Sequence, residues 1–524
     1  MGERVYIYDS TLRDGAQTQG IDFSVLDKQF IAGQLDKLGI DYIEGGWPGA
    51  NPTDDQFFAK LPEVKHSIYT AFGMTRRAGT GAGNDPGLNT LLNVGTKTVC
   101  IVGKSWDYQV THALEIALEE NLAMISESIA HIVKQKREAV FDAEHFFDGY
   151  KANPEYALKV AEAAYKAGAR WIVLCDTNGG TLPQEISEIV RQVVKKIPGD
   201  HLGIHCHNDT EQAVANSLAA VQAGVRQVQG TINGVGERCG NANLTAIIPT
   251  LVLKMGFKTG VSKEGLKQLT HISRAVQERL NRAPNPYAAY VGASAFAHKG
   301  GLHVSAVAKH PKSYEHIEPE AVGNVRNILV SDQAGRSNIL ASLKTAGLVV
   351  DPRDPKVAEL VDEVKKREAA GYAYDGADAS FELLARRMLG GIENFYDLQS
   401  FRVIDERRFN AKGKLITLSE ATIKLKIKGK TLMTVAEGNG PVNALDKALR
   451  KALSLKYKQL KEMRLVDYKV RIIPSHGTDA LTRVWIESAD ASGNHWCTIG
   501  VSANVIDASY NALQESIIYK LLHS

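Results

Sequence analysis

The sequence predicts an α/β protein: a (β/α)8 TIM barrel, then a helical linker, then a C-terminal α+β module of two βββα units. Three observations carry that expectation. Short apolar runs alternate with helical patterns eight times within residues 1–255, as in a parallel sheet covered by helices. Eight such runs in roughly 250 residues, with no phosphate-binding glycine loop after the first, favour a closed barrel over an open doubly wound sheet. From residue 395 the pattern changes to three alternating strands and a helix, repeated once.

The predicted barrel strands are Val5–Tyr8, Tyr42–Gly45, Ser67–Phe72, Thr98–Val102, Ala139–Ala143, Trp171–Leu174, Leu202–His205 and Gln227–Thr231. Between them, Ser24 to Leu38 carries Phe30, Ile31, Leu35 and Leu38 at helical spacing, with Ser24 as N-cap and Gly39 past the end. Pro154 opens another helix in its first turn, and Gly168 follows its last. Gln184 to Ile197 places Ile186, Ile189, Val190, Val193, Val194 and Ile197 on one stripe. Residues 256–394 read as a linker subdomain in which Lys356–Glu368 and Ser380–Met388 are exposed helices with charged faces, joined by the glycine-rich loop 371–376. In residues 395–524 the strands are Phe401–Arg408, Glu420–Lys428, Lys430–Ala436, Asp467–Ile473, Thr482–Ala489 and His495–Val501, with helices Val442–Ser454 and Val505–Leu522. This gives a catalytic barrel at 1–255, a linker at 256–394 and a regulatory or dimer-forming module at 395–524.

Composition narrows the function. The chain has 524 residues, 44% hydrophobic and 23% charged, with a net charge of +3. That balance offers no polyanion-binding surface and argues against nucleic acid as the main partner. No run approaches the ~18 apolar residues of a membrane span, and the first residues form no signal peptide. Five cysteines without a C-x-x-C pair fit a reducing cytoplasm better than a disulfide framework.

In a barrel the reacting groups sit at the C-terminal ends of the strands. Those ends carry Arg13 and Asp14, Glu44 and Trp47, Asp142 and Glu144, Asp176 to Asn178, His205 and His207, and Asn233 to Asn241. His205-x-His207 on one strand puts two imidazoles on the same face, able to reach one metal ion. An isolated H-x-H is more often two packed histidines; Asp14 and Asn241 at neighbouring strand ends shift the balance toward a metal. Two imidazoles with oxygen donors suit Mn²⁺, Mg²⁺, Co²⁺ or Zn²⁺. Arg13 reads as a cation beside a developing oxyanion, or as a barrel-end salt bridge. Asp142 and Glu144 read as acid or base, or as groups orienting the histidines. Gly234-x-Gly236-x-x-x-Gly240 has the wrong spacing for a dinucleotide loop, and Gly103-Lys104-Ser105 lacks the earlier glycine of a Walker loop. By spacing alone, His298 and His303 read as a solvent-exposed pair.

Together these motifs resemble the isopropylmalate, homocitrate and citramalate synthase family of metal-dependent Claisen-type barrels. The resemblance runs through Asp9-Ser10-Thr11-Leu12-Arg13-Asp14-Gly15-Ala16-Gln17, His205-x-His207-Asn208-Asp209 and Gly234-x-Gly236-Glu237-Arg238-x-Gly240-Asn241-Ala242. It resumes at Ala297-His298-Lys299-Gly300-Gly301-Leu302-His303, Tyr314-Glu315-His316-Ile317 and Asn504-Val505-Ile506-Asp507-Ala508-Ser509. It implies Asp14, His205, His207 and Asn241 as ligands of a divalent metal, Arg13 on the keto oxygen and Thr177 on a 2-oxoacid carboxylate. It further implies Glu144 in the substrate pocket, and His303 as base with Tyr314 nearby. Related enzymes often carry an acidic residue two positions after that histidine, where this chain has Ser305. Within the family, Trp47 and Asn178 are similar to the citramalate-forming branch, which joins acetyl-CoA to pyruvate on the route to isoleucine. The resemblance implies a homodimer and feedback by isoleucine. The alternatives are a 2-isopropylmalate synthase using 2-oxoisovalerate, a lyase of the hydroxymethylglutaryl-CoA type, and a non-catalytic amino-acid sensor on a degenerate barrel.

Overall fold

Eight parallel strands close into a barrel in the computed structural model of the chain, which describes residues 3–280, 282, 284–328, 336–374, 376–473 and 480–524. They are β1 (Tyr6–Asp9), β2 (Tyr42–Gly46), β3 (Ile68–Met74), β4 (Thr98–Lys104), β5 (Glu138–Glu144), β6 (Trp171–Asp176), β7 (Leu202–Cys206) and β8 (Gln227–Gly230). β1 pairs with both β2 and β8, which closes the ring. Alternation divides each strand between two cores. Tyr8, Tyr42, Phe72, Cys100, Val140, Trp171 and Val173 pack together inside, and the Trp171 indole N–H donates to the Tyr42 hydroxyl at 3.2 Å. Ile7, Ile43, Val99, Phe141, Ile172, Ile204 and Val228 face the surrounding helices.

The helices begin and end where local chemistry directs. Val25–Leu38 opens with a reciprocal cap, in which the Ser24 hydroxyl accepts from the Asp27 N–H and the Asp27 carboxylate accepts from the Ser24 N–H. It ends at Gly39, whose φ of 95° is left-handed. Pro154 and Pro183 each start a helix in its first turn.

The chain divides into two compact units, residues 1–296 with 317–326, and residues 297–316 with 327–524. The predicted boundary at 255/256 does not coincide with this division. Helix Leu269–Arg279 buries Leu269, Ile272 and Val276 in the same core as the barrel helices, and the Thr270 hydroxyl donates to the Val322 carbonyl at 2.8 Å.

The second unit contains a short parallel pair, β9 (Ala297–His298) and β10 (Asn327–Ile328). Its main part is two antiparallel sheets. The first is β11 (Asp397–Phe409), β12 (Leu415–Ile427) and β13 (Lys430–Gly438), followed by helix Pro441–Leu453. The second is β14 (Arg464–Ile472), β15 (Thr482–Ala489) and β16 (His495–Ser502), followed by helix Val505–Leu522. Ala421, Ile423 and Leu425 of β12 meet Ala444, Leu445, Ala448 and Leu449 of the first helix in one buried cluster, each larger side chain contributing about 1.5–3 kcal/mol.

The helix predicted as exposed at Ser380–Met388 is instead Asp378–Leu389, with Ala379 through Ala385 all buried. Its charges are satisfied internally. The Ser380 hydroxyl donates to Glu515, Arg387 pairs with Glu515 at 2.9 Å, and Arg386 pairs with Glu382 at 2.6 Å. Helix Pro355–Ala369 likewise buries Val357, Leu360 and Val364. Of the predicted loop 371–376, Asp375 lies outside the described residues. Among the described residues no helix is long and apolar enough to cross a membrane.

Candidate active site

The site is built from the turn after β1 and the ends of the neighbouring strands. Asp9 ends β1 and its carboxylate accepts from the Thr11 N–H and hydroxyl at 2.9 and 3.0 Å. That turn delivers Arg13 and Asp14. The Arg13 Nε donates to Glu44 Oε2 at 2.7 Å, its Nη1 lies 3.4 Å from Asp14 Oδ2, and its guanidinium sits 3.9 Å over the Phe72 ring. Glu44 also accepts from the Tyr8 hydroxyl at 2.7 Å. Glu44 lies within β2 rather than after it, and the guanidinium is therefore held on three sides.

His205 and His207 converge as expected, with one correction. β7 ends at Cys206, and His207 stands one residue beyond, in an isolated antiparallel bridge to Asn241. His205 Nε2 is 3.3 Å from Asp14 Oδ2. One ligand atom from each of Asp14, His205 and His207 lies within 4.8 Å of the others. The segment Gly234–Gly240 places Asn241. A Cβ on Gly236 would lie 2.1 Å from Asn241 Nδ2, and Gly240 has a φ of 95° with its Cβ position 2.0 Å from the Gly234 carbonyl oxygen. Glycine is required at both.

Three buried atoms here have no hydrogen-bond partner: Asp14 Oδ1, His207 Nδ1 and Asn241 Oδ1. Buried polar atoms are ordinarily satisfied, and three orphaned electron-pair donors beside one another fit a cation as their common partner. The donor set of carboxylate, imidazoles and amide oxygen suits a divalent ion of the Mn²⁺ to Zn²⁺ range. The electrostatics agree. Burial alone would raise the Asp14 carboxyl, but Arg13 and His205 outweigh it and hold it well below the usual range. Burial, then the neighbouring His205, pushes His207 down to about 4, which leaves its imidazole neutral, as a ligand must be. A second close group, Glu44, Cys100 and Asp142, is committed otherwise: Glu44 to Tyr8 and Arg13, Asp142 to Gln229.

Glu144 ends β5 and forms an ion pair with Lys104 from β4. Lys104 is a partner the sequence reading missed; parallel pairing of Lys104 with Glu144 at adjacent strand ends was the signal that could have found it. Thr177 follows β6, and its hydroxyl oxygen accepts from the His145 N–H at 2.8 Å, which leaves the hydroxyl hydrogen to donate elsewhere. Trp47 packs edge-on to Phe72, with centroids 5.6 Å apart. It lines two cavities, one of about 340 Å³ with Lys104, Val102 and Glu144, the other of about 380 Å³ with Arg13 and Asn51. Arg13, Asp14, His205, His207 and Asn241 are thus brought together, with Glu144 and Thr177 at the same end of the barrel.

His303 and Tyr314 belong to the second unit, where their rings stack at 4.2 Å. The predicted exposed pair His298 and His303 splits. His303 is exposed, whereas His298 is 8% exposed and its Nε2 lies 3.1 Å from Glu315 Oε1. Strand pairing of β9 with β10 draws His298 inward, which spacing alone does not reveal.

Comparison with known proteins agrees with this geometry. Residues 4–276 match the HMGL-like family, residues 290–371 the homocitrate synthase post-HMGL domain-like family, and residues 375–521 the LeuA allosteric (dimerisation) domain. The chain is 53% identical to an (R)-citramalate synthase of Aquifex aeolicus, covering 100% of this chain and 98% of that one. It is 53% identical to an (R)-citramalate synthase of Geobacter sulfurreducens over 99% and 97%. A 2-isopropylmalate synthase of Brevibacillus brevis is 32% identical over 96% and 94%. The chain belongs to the HMGL-like family and, within it, to the (R)-citramalate synthases.

Proposed function

We propose that the chain condenses acetyl-CoA with pyruvate to give (R)-citramalate and CoA, in the cytoplasm. The observation that carries the reading is the trio of orphaned donors on Asp14, His207 and Asn241 beside Arg13. Asp14, His205 and His207, with Asn241, hold a divalent metal, for which Mn²⁺, Mg²⁺, Co²⁺ and Zn²⁺ are candidates. When bound, it supplies Lewis-acid polarisation of the 2-oxoacid carbonyl.

The chain's own groups do the rest. The Thr177 hydroxyl, anchored by the His145 N–H, donates to the pyruvate carboxylate. Glu44 fixes the Nε edge of Arg13, so the remaining guanidinium N–H groups face the keto oxygen and stabilise the alkoxide that develops there. His303 takes a proton from the acetyl methyl group, which the thioester acidifies, with Tyr314 stacked against it. The resulting enolate attacks the keto carbon, and hydrolysis of the thioester makes the sequence irreversible. Glu144, tied to Lys104, lines the substrate pocket. Changing His205→Ala tests the site: turnover and Mn²⁺ binding are lost while the chain stays folded, and a fully active variant refutes it.

The reading extends to regulation. The C-terminal module forms the homodimer and binds isoleucine as a feedback inhibitor. Its match to an allosteric dimerisation domain supports this, as does the apolar surface at Ile404, Met433 and Val435, which are 45%, 67% and 40% exposed. Calorimetry with isoleucine, against leucine as control, should show heat for isoleucine; none would remove it as the effector.

A further inference from the structure

His205 is the end of a hydrogen-bonded chain that crosses the barrel interior. Its Nδ1 lies 2.9 Å from Gln229 Oε1, and Gln229 Nε2 donates to Asp142 Oδ1 at 3.0 Å. The three residues come from β7, β8 and β5. Gln229 is fully buried, and Asp142 and His205 are each 4% exposed. Solvent therefore has little part in deciding which way each group points.

The direction of the chain follows from chemistry. Asp142 faces Glu44, Arg13 and His205. Gln229 Nε2 donates to its Oδ1, and although burial and then Glu44 push the carboxyl up, this contact, His205 and Arg13 favour the carboxylate. A carboxylate only accepts hydrogen bonds. Gln229 must then turn its N–H toward Asp142 and its carbonyl oxygen toward His205. That oxygen can only accept, so Nδ1 of His205 carries a proton, and Nε2, the atom facing Asp14, is the nitrogen whose lone pair serves a cation once the ring is neutral.

We propose that Gln229 and Asp142 are positioning residues that set the tautomer of His205, presenting its Nε2 lone pair to the divalent cation. The inference rests on the reading of His205 as a metal ligand. It goes beyond that reading by assigning work to Gln229 and Asp142, which lie outside the Asp14, His205 and His207 cluster. Groups of this kind commonly change metal affinity 10–100-fold when removed.

The test measures Mn²⁺ dissociation constants at pH 7.5 by calorimetry on the full chain. Ring-nitrogen NMR of the metal-free, histidine-labelled protein reports the tautomer alongside. Gln229→Leu removes the acceptor and should weaken Mn²⁺ binding about 10–100-fold, with loss of the Nδ1-protonated signal. Exchanging the two groups, Gln229→Glu with Asp142→Asn, restores the order: the amide at 142 donates to the carboxylate at 229, which accepts from His205. That double variant should bind Mn²⁺ within about threefold of wild type, which a merely structural role for these residues would not produce. His205→Ala separates the two failures. If it loses Mn²⁺ binding while folded Gln229→Leu binds as wild type, or if the exchange fails to restore binding, the tautomer inference is overturned. If His205→Ala itself binds as wild type, the metal-site reading falls and this inference falls with it.

Discussion

Removal of Arg13 should damage stability and catalysis by separable routes. The Arg13 and Glu44 side chains are 12% and 0% exposed, and their contact is 2.7 Å. Arg13→Ala leaves Glu44 with the Tyr8 hydroxyl alone, close to Asp142. Breaking a buried ion pair from one side costs about 3–5 kcal/mol. At roughly 2–4 °C per kcal/mol for a domain of a few hundred residues, Tm should fall by about 10 °C. Loss of a donor to the developing alkoxide should lower kcat about 10²–10³-fold. The paired variant Arg13→Met with Glu44→Gln leaves no stranded charge and keeps an acceptor for Tyr8. It should recover Tm to within about 3 °C of wild type, yet kcat should stay at least about 10²-fold down. Thermal unfolding followed by circular dichroism, and CoA release followed by thiol titration, read the two effects. An Arg13→Ala protein with unchanged Tm would refute the ion-pair argument; recovery of kcat in the paired variant would reduce Arg13 to a structural role.

Three further outcomes are expected. Burial pushes the Asp9 carboxyl from 3.8 up to about 7, so the native state holds a proton that the unfolded chain releases. Its contribution is complete below pH 3.8 and lost as pH rises to about 7, on the order of 4 kcal/mol in all. Denaturant unfolding of Asp9→Asn should therefore gain on wild type between pH 4 and pH 8, and parallel curves would contradict the assignment. Trp47→Ala enlarges the cavities it lines and should raise kcat/KM for 2-oxoisovalerate relative to pyruvate by at least about 10–200-fold, the value of one methylene in a pocket; an unchanged ratio would take Trp47 out of specificity. Sedimentation should give a dimer, and Met433→Glu with Val435→Lys should yield folded monomer, whereas a persisting dimer would move the interface off that sheet face.

Much of the barrel is legible because strand and helix periods differ and the capping residues Ser24, Gly39 and Pro154 mark the joints. Arg13, Asp14, His205 and Asn241 are legible because a barrel concentrates chemistry at strand ends. Gln229 is not. A polar residue in the interior half of a strand looks like composition noise until His205 and Asp142 are seen on either side of it. Asp378–Leu389 misleads for the opposite reason, since charges that pair inside the fold, such as Arg387 with Glu515, read like a solvated face. The division into compact units escapes the sequence because residues 317–326 return to the first unit through non-local contacts such as Thr270 with Val322.

The central claim is the identity of the condensation. CoA release from acetyl-CoA in the presence of Mn²⁺, compared across pyruvate, 2-oxobutanoate and 2-oxoisovalerate by kcat/KM, tests it most directly. The account predicts a clear preference for pyruvate with (R)-citramalate as product. A preference for 2-oxoisovalerate would contradict it, leaving the barrel and its ligand cluster standing but assigning the pocket around Trp47 to a branched substrate.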